Sequence, residues 1–283
     1  MKKDFERGLF MKKCAIVILA VSSLLLTGCT SQSNEAKTKG STKIGIKNTT
    51  KNGSAKKKSA QKRTSAASGT KDSPKQTARI TMLNRKLRTA LGNVLLPTAD
   101  GLTSGSRTMN VRYDGDTANY AIFYSVGEKA KSFNADDVAQ ETPYAEFTKR
   151  TYNTTEEAAQ QIEHKTSADF KGLSTIDLDH NIQGYLDARA GQRYLSWNEG
   201  NWSLTIYSTA AQEKKAEQMA RKTVGLLERH VLPVPRLYGQ VSFEADKQSG
   251  QHNQTIIWQD EKTVFKLSAY DFETAIKMVA SVK

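Results

Sequence analysis

Residues 193–208, RYLSWNEGNWSLTIYS, and residues 254–269, QTIIWQDEKTVFKLSA, each place two runs of alternating apolar and polar side chains around a short polar segment. Such a pattern is typical of two antiparallel strands joined by a tight turn. At an offset of 61 residues the two stretches match at three apolar positions, which are Trp197 with Trp258, Leu204 with Phe265 and Ile206 with Leu267. The two stretches therefore predict two hairpins with the same strand phase.

Each hairpin is the centre of a longer predicted unit of three strands and a helix. The predicted strands and helix of the first unit are 182–188, 193–198, 202–208 and 210–229. Those of the second unit are 241–245, 254–259, 263–269 and 272–282. Residues 182–230 and 239–283 would then be an internal repeat of two similar lobes, with chance similarity between hairpin-plus-helix units as the open alternative.

The chain before these units is also patterned. Apolar residues at helical spacing predict an amphipathic helix over residues 80–92, and alternation predicts strands at 109–113, 120–124 and 144–152. Thr154 and Glu157 have the spacing of a capping box, which predicts a helix from there to about residue 164. Strands joined by turns, with helices that each have one apolar stripe, indicate the α+β class. We expect an antiparallel meander sheet with the helices packed on one face, in a globular domain of residues 79–283.

Charge is unevenly distributed along the chain. The net charge is +13, but residues 79–283 contain 25 basic and 25 acidic side chains. The basic excess therefore belongs to the first 78 residues. A nucleic-acid-binding domain needs clustered cations on its own surface, so we expect no nucleic acid as a partner.

The N-terminal residues have the pattern of an export signal. Lys12 and Lys13 precede an apolar run from Cys14 to Leu26, which is the length of a signal-peptide core. The run ends in Leu26, Thr27, Gly28 and Cys29, which resembles the lipobox of bacterial lipoproteins. An ordinary signal peptide or a membrane anchor with a chance cysteine is the alternative, and either Met1 or Met11 could be the start.

The resemblance to bacterial lipoproteins implies the fate of both cysteines. Residues 1–28 would be removed as a lipoprotein signal peptide, and Cys29 would become a diacylglyceryl cysteine at the mature N-terminus. The mature chain would then have no free thiol for a disulfide, a zinc–cysteine site or an iron–sulfur cluster. The protein would be exported and anchored to the outer face of the bacterial cell membrane, of the Gram-positive type.

Residues 29–78 are dominated by Lys, Ser, Thr, Ala, Gly and Asn, a composition that predicts a disordered tether. Five cations cluster within it: Lys56, Lys57, Lys58, Lys62 and Arg63. This cluster could contact anionic lipid headgroups or an anionic wall polymer, or it could be a solvated spacer. The sequence leaves the three alternatives open.

Residue patterns for catalysis or metal binding are weak. Asp177, Asp179 and Asn181 begin like a calcium loop, but Ile182 and Ala188 stand where such a loop needs glycine and glutamate. The four histidines are widely separated in sequence. We therefore predict no catalytic residues, no metal and no cofactor.

The aromatic residues of the two hairpins are the remaining candidates for a binding site. Trp197, Trp202 and Trp258 could form a platform for a ligand, although filling the layer between sheet and helices is the favoured interpretation. We expect a noncatalytic binding, sensing or structural domain in the cell envelope. A carrier of a lipid or other hydrophobic ligand is the alternative, and an exported enzyme is a third possibility.

Overall fold

The computed structural model describes residues 74–103, 107–246 and 251–283, which form an α+β fold of ten strands and four helices. The helices are α1 (Pro74–Leu91), α2 (Thr155–Ala159), α3 (Glu213–Leu227) and α4 (Phe272–Ala280). The strands are β1 (Thr108–Gly115), β2 (Tyr120–Gly127), β3 (Pro143–Thr151), β4 (Ser174–Asp177), β5 (Gln183–Arg189), β6 (Gln192–Glu199), β7 (Trp202–Thr209), β8 (Gly239–Glu244), β9 (Gln254–Asp260) and β10 (Thr263–Ala269).

All ten strands belong to one sheet, in the order β1-β2-β3-β10-β9-β8-β7-β6-β5-β4. Neighbouring strands are antiparallel except β7 and β8, which are parallel and are connected through α3. The expected antiparallel meander is therefore corrected in two places. The β3 strand pairs with β10 rather than with β4, and the sheet contains one parallel pair.

One face of the sheet carries an uninterrupted apolar row across seven strands. Residues directly opposite each other on paired strands point to the same face. From β6 to β2, successive opposite residues are Trp197, Leu204, Val241, Ile256, Leu267, Phe147 and Ile122. Every one of these side chains is fully buried, so this row is the centre of the core.

Three helices cover this apolar face. The α1 helix supplies an apolar stripe to the core, namely Ile80, Leu83, Leu87 and Leu91. The α4 helix begins at a capping aspartate, Asp271, whose side chain accepts a hydrogen bond from the Thr274 N–H over 3.1 Å. Its first residue, Phe272, packs on Phe243 of β8 with ring centroids 5.8 Å apart. The α3 helix lies beside α4 and buries small residues such as Ala216 and Ala220, which allow close approach to β7.

The opposite face is polar, and the chain between β3 and β4 lies across part of it. Its central row runs through Ser196, Thr205, Ser242, Thr255 and Ser268. Gln259, on this same face, donates a hydrogen bond to the carbonyl oxygen of Thr155 at the start of α2. The α2 helix therefore lies on the polar face, which corrects the expectation that all helices pack on one face.

Three elements, α1, α2 and β4, differ from the sequence prediction by more than the few residues seen at other element ends. The α1 helix begins at Pro74 rather than at residue 80, because its first turn lies before the apolar stripe. The Thr154 side chain accepts from the Glu157 N–H as the capping box predicts, but α2 ends at Ala159 instead of near residue 164. The four-residue strand β4 was not predicted, because its sequence Ser-Thr-Ile-Asp is too short and polar to show alternation.

None of the helices in the described ranges is both long enough and apolar enough to cross a membrane.

Candidate functional site

An apolar groove of about 430 Å³ lies at one end of the sheet, where two segments of chain come together. One segment is the turn between β6 and β7, residues 199–202. The other follows α3, from Leu227 to Pro235. We call this site the α3–β8 groove, because its longer wall connects those two elements.

The wall after α3 is held in place by hydrogen bonds and by close packing. Pro233 and Pro235 cannot be accommodated inside a helix and favour extended backbone at the residues before them, Leu232 and Val234, so residues 231–235 belong to neither a helix nor a strand. The Trp202 indole N–H donates to the carbonyl oxygen of Pro233 over 3.2 Å, and the Arg236 N–H donates to the carbonyl oxygen of Gln259 over 2.9 Å. Gly239 then lets the chain pass directly against the Trp202 ring, since a Cβ there would overlap the ring.

The rim of the α3–β8 groove exposes apolar side chains to water. Val231 is 77% exposed and Val234 is 88% exposed, and both line the groove. Contiguous exposed apolar surface on a folded domain is characteristic of interaction sites. The groove is therefore the strongest binding feature in the described part of the chain.

Glu199 is the charged side chain in the lining of the groove. Its Oε1 accepts a hydrogen bond from the indole N–H of Trp197 over 2.8 Å. Burial disfavours the ionised carboxylate and raises the pKa of Glu199. The hydrogen bond from Trp197 and the charge of His180 oppose this effect, and the nearby carboxylate of Glu228 adds to it. The second titratable lining residue is His230, whose pKa is lowered by burial and by the neighbouring charges of Lys277 and Arg229.

A second cluster of titratable side chains lies on the polar face, around Lys165. The Lys165 ammonium donates to Ser196 Oγ over 2.8 Å and to Thr205 Oγ1 over 3.2 Å, and it lies 5.9 Å from the centre of the Tyr194 ring. Removal from water lowers the pKa of Lys165. Among the described residues no carboxylate lies within ion-pair distance of this ammonium, so its side-chain hydrogen bonds go to hydroxyl groups.

Lys165 has a structural role that its hydrogen bonds explain. Its backbone N–H donates to Ser203 Oγ over 3.0 Å, and its carbonyl oxygen accepts from Asn198 Nδ2 over 2.8 Å. The side chain and backbone of Lys165 together fix the segment between β3 and β4, which lies across the polar face, to β6 and β7. Ser196 is only 3% exposed beneath it, so this cluster presents no open surface to a ligand.

A third polar cluster joins the loop between β2 and β3 to the edge of the sheet. The buried Asn110 donates to the carboxylate of Glu141, which also accepts from Ser125 over 2.6 Å and pairs with Lys131 at 3.2 Å. Arg79 of α1 donates to Asn110 Oδ1 over 2.9 Å. Each of these groups has a partner inside the protein, so the cluster acts as a structural clasp.

The structure places the three predicted tryptophans in two different settings. Trp197 is 0% exposed and Trp258 is 2% exposed, and both face the core from the middle of a hairpin. Trp202 is 8% exposed and lines the groove with one edge. Trp202 and Trp258 lie on the same face on either side of Gly239, but burial of Trp197 and Trp258 leaves no exposed platform of three indoles.

The calcium-like sequence forms a tight turn between β4 and β5. Asp179, His180 and Asn181 all have positive φ angles, and Asp179 is paired with Arg221 of α3 at 3.0 Å. Across residues 74–103, 107–246 and 251–283, no three His, Cys, Asp or Glu side chains are placed to share a metal ion.

Several predicted sites fall outside the described residues. These are the lipobox with Cys29, the signal peptide, and the basic cluster of Lys56, Lys57, Lys58, Lys62 and Arg63.

Sequence reasoning missed the wall of the groove. Residues 231–235, Val-Leu-Pro-Val-Pro, follow a predicted helix and would ordinarily be assigned to a connecting loop. Apolar residues alternating with two prolines were the available signal, because prolines hold such residues in an extended segment.

Comparison with known proteins found no matching protein-family model, no matching curated protein and no matching solved structure.

Proposed function

We propose that this protein is a lipoprotein of the bacterial cell envelope whose globular domain binds a partner through the α3–β8 groove. The sequence from Leu26 to Cys29 supports anchoring through a diacylglyceryl cysteine on the outer face of the membrane. The groove supports binding, because it combines a cavity of about 430 Å³ with exposed valines on its rim. This combination is the observation that carries the proposal.

The shape of the groove favours a binding domain over a carrier of hydrophobic ligands. A carrier has to keep an acyl chain out of water, whereas Val231 and Val234 remain largely exposed. Under α3, the space next to β5 and β6 is a cavity of only about 20 Å³. Such a space holds about one water molecule and no acyl chain.

Catalysis is less well supported than binding. Lys165 and Ser196 are a pair of the kind that can act as base and nucleophile. The Ser196 hydroxyl also shares a hydrogen bond with Thr205 over 3.0 Å and lies beneath Lys165. A substrate would have to displace the lysine before it reached that hydroxyl, so we assign the pair to structure.

The tether would place the domain at a distance from the membrane. In this proposal its basic cluster, Lys56, Lys57, Lys58, Lys62 and Arg63, contacts anionic lipid or an anionic wall polymer, or acts as a solvated spacer. Binding of the full chain to vesicles with and without anionic lipid, compared with a variant that has glutamine at these five positions, separates the first of these roles from the others.

Cell fractionation tests the anchoring part of the proposal. We expect Cys29→Ala to abolish lipidation and processing at that bond, and to shift the mature chain out of the detergent phase. Cys14→Ala, which alters the other cysteine of the chain, is the matched control and should behave as the wild type. Unchanged processing and detergent partitioning of Cys29→Ala would show that the protein is not a lipoprotein of this type.

A further inference from the structure

We propose that the α3–β8 groove binds a cationic, partly apolar polypeptide segment, in which a lysine or arginine lies next to aliphatic residues. This inference rests on the proposed function, since it names the chemistry of the partner at the same site. The segment would place its aliphatic side chains against Trp202, Val231 and Val234, and its cation beside Glu199.

The charge of the lining is the first observation. The groove is lined by Glu199, Gly200, Asn201, Trp202, Leu227, His230, Val231, Leu232, Pro233, Val234 and Pro235, so its charged member is a carboxylate and it includes no lysine or arginine. The carboxylate of Glu228 lies close enough to act on Glu199. A cationic group is therefore attracted to the groove, and an anionic group is repelled.

The state of Glu199 is the second observation. Its side chain is largely removed from water. Among the described residues the imidazole of His180 acts on Glu199, but no cationic side chain forms an ion pair with its carboxylate. More exposed carboxylates nearby do have such partners: Glu261 pairs with Arg236 at 3.2 Å, and Asp179 pairs with Arg221 at 3.0 Å. Keeping an unpaired carboxylate partly buried is costly, and a bound ammonium or guanidinium would offset that cost.

The neighbouring cations do not fill this position. Arg229 and Lys277 act on His230, and Lys277 is held by Glu273 of its own helix at 3.8 Å. Arg236 is engaged by Glu261. His180 acts on Glu199 but forms no ion pair with it. The negative side of the groove, at Glu199 and Glu228, therefore remains available to a cation from outside.

The open shape of the groove favours a polypeptide as the occupant. Val231 and Val234 on its rim are largely exposed to water, so the groove is open and an extended chain can bind there without being enclosed. A membrane surface rich in anionic lipid is disfavoured, because its headgroups would meet the carboxylates of Glu199 and Glu228. A segment of an exported protein with basic and aliphatic residues fits both the open shape of the groove and its negative charge.

Selection from a random dodecapeptide library displayed on phage, with the full-length protein in detergent as bait, provides the probe. We expect the enriched peptides to carry lysine or arginine within two positions of an aliphatic residue. One enriched peptide is then synthesised with a fluorophore, together with a version that has glutamine in place of its basic residue. The dissociation constants of both are measured by fluorescence anisotropy.

Three variants locate the binding and its charge preference. The double variant Val231→Ser, Val234→Ser should weaken binding of the basic peptide at least tenfold, because both residues are exposed and contribute apolar contact only to a ligand. Leu95→Ser changes an exposed apolar residue outside the groove and should leave binding unchanged. Glu199→Gln should weaken the basic peptide several-fold and should leave the glutamine version unaffected.

The outcomes separate this inference from the proposed function. Peptides that need Val231 and Val234 but show no preference for a cation would leave the groove as a binding site and overturn the cationic partner. Enrichment of acidic peptides, or no enrichment at all, would overturn it too. Concentration-dependent dimers, or binding to neutral vesicles, that disappear in the double valine variant would identify a second copy or a lipid surface as the occupant instead.

Discussion

Trp197 donates its indole N–H to Oε1 of Glu199 over 2.8 Å, so a fully buried ring holds a carboxylate in the wall of the α3–β8 groove. The two residues lie on the same strand, two positions apart, and their side chains point to the same face. Core packing and the polarity of the groove are therefore coupled at this point. Changes to either residue should affect both stability and binding.

Glu199→Gln should stabilise the domain at neutral pH. Glutamine still accepts the hydrogen bond from Trp197 but removes a charge that burial disfavours. Because the pKa of Glu199 is raised above its ordinary value of 4.5, the folded wild type loses stability as the pH rises from about 4.5 through the folded pKa. The gap between variant and wild type should therefore be present at pH 7 and should shrink below pH 4.5.

Urea denaturation of both proteins at pH 7 and pH 4 measures this gap. Comparing the two proteins at each pH cancels the titration of other carboxylates. A glutamine variant that is less stable than the wild type at pH 7 would show that the carboxylate of Glu199 is stabilising in the fold, and would contradict this prediction.

Gly239→Ala should destabilise the wall of the groove. An added Cβ would overlap the Trp202 ring, whose position is fixed by the hydrogen bond to Pro233. Overpacking of this kind costs about 1–3 kcal/mol. Gly225→Ala is a matched control, because a Cβ there meets nothing within 4 Å and alanine in the interior of α3 should add about 0.5–1 kcal/mol. Denaturation midpoints of the two variants should thus move in opposite directions.

The hairpins could be predicted from the sequence, because their signal is local. The sequence predicts the same alternation around Trp197 and Trp258. In the structure Trp197 lies opposite Leu204 and Trp258 lies opposite Phe265, at the same spacing in both hairpins. The parallel pairing of β7 with β8 could not be predicted. It depends on where α3 returns the chain, and no residue pattern within either strand encodes its neighbour.

The groove could not be predicted from the sequence for a similar reason. Val231 and Val234 look like ordinary loop residues, and Glu199 looks like a polar turn residue. They become a site only when Trp202 fixes the extended segment beside the β6–β7 turn. Lys165 was missed because its partners, Ser196 and Thr205, lie 31 and 40 positions away in the chain.

The stability of the wild type should rise with pH in the alkaline range, and Lys165→Met should reduce that rise. The pKa of Lys165 is lowered from its ordinary value of 10.5, so between the folded pKa and 10.5 the unfolded chain binds the proton more strongly than the folded chain. Stability of the wild type therefore rises with pH through that window, and methionine abolishes this contribution.

Chemical denaturation between pH 7 and pH 10 tests this dependence, with Lys266→Met at an exposed position as the matched control. The difference between wild type and Lys165→Met should change with pH, whereas the control should follow the wild type. A pH-independent difference for Lys165→Met would mean that its ammonium is not disfavoured in the fold.

Trp197 and Trp258 are, we propose, structural residues of two hairpins with the same register. Each indole lies on the middle strand of its three-strand unit, β6 or β9, and is opposite a buried apolar residue, Leu204 or Phe265. Trp258 also stacks on Phe265 and Phe147, with ring centroids 5.3 and 6.0 Å away. Replacing either tryptophan with alanine should cost about 3–5 kcal/mol, the usual range for emptying a large aromatic site in a core. A loss of that size is a large fraction of the stability of a typical domain.

The hydrogen bond to Glu199 distinguishes the two positions: Trp197→Phe should lose it as well as packing, whereas Trp258→Phe should lose packing alone. Equilibrium denaturation of all four variants decides the matter, and losses below about 1 kcal/mol for both alanine variants, the scale of surface substitutions, would contradict a structural role.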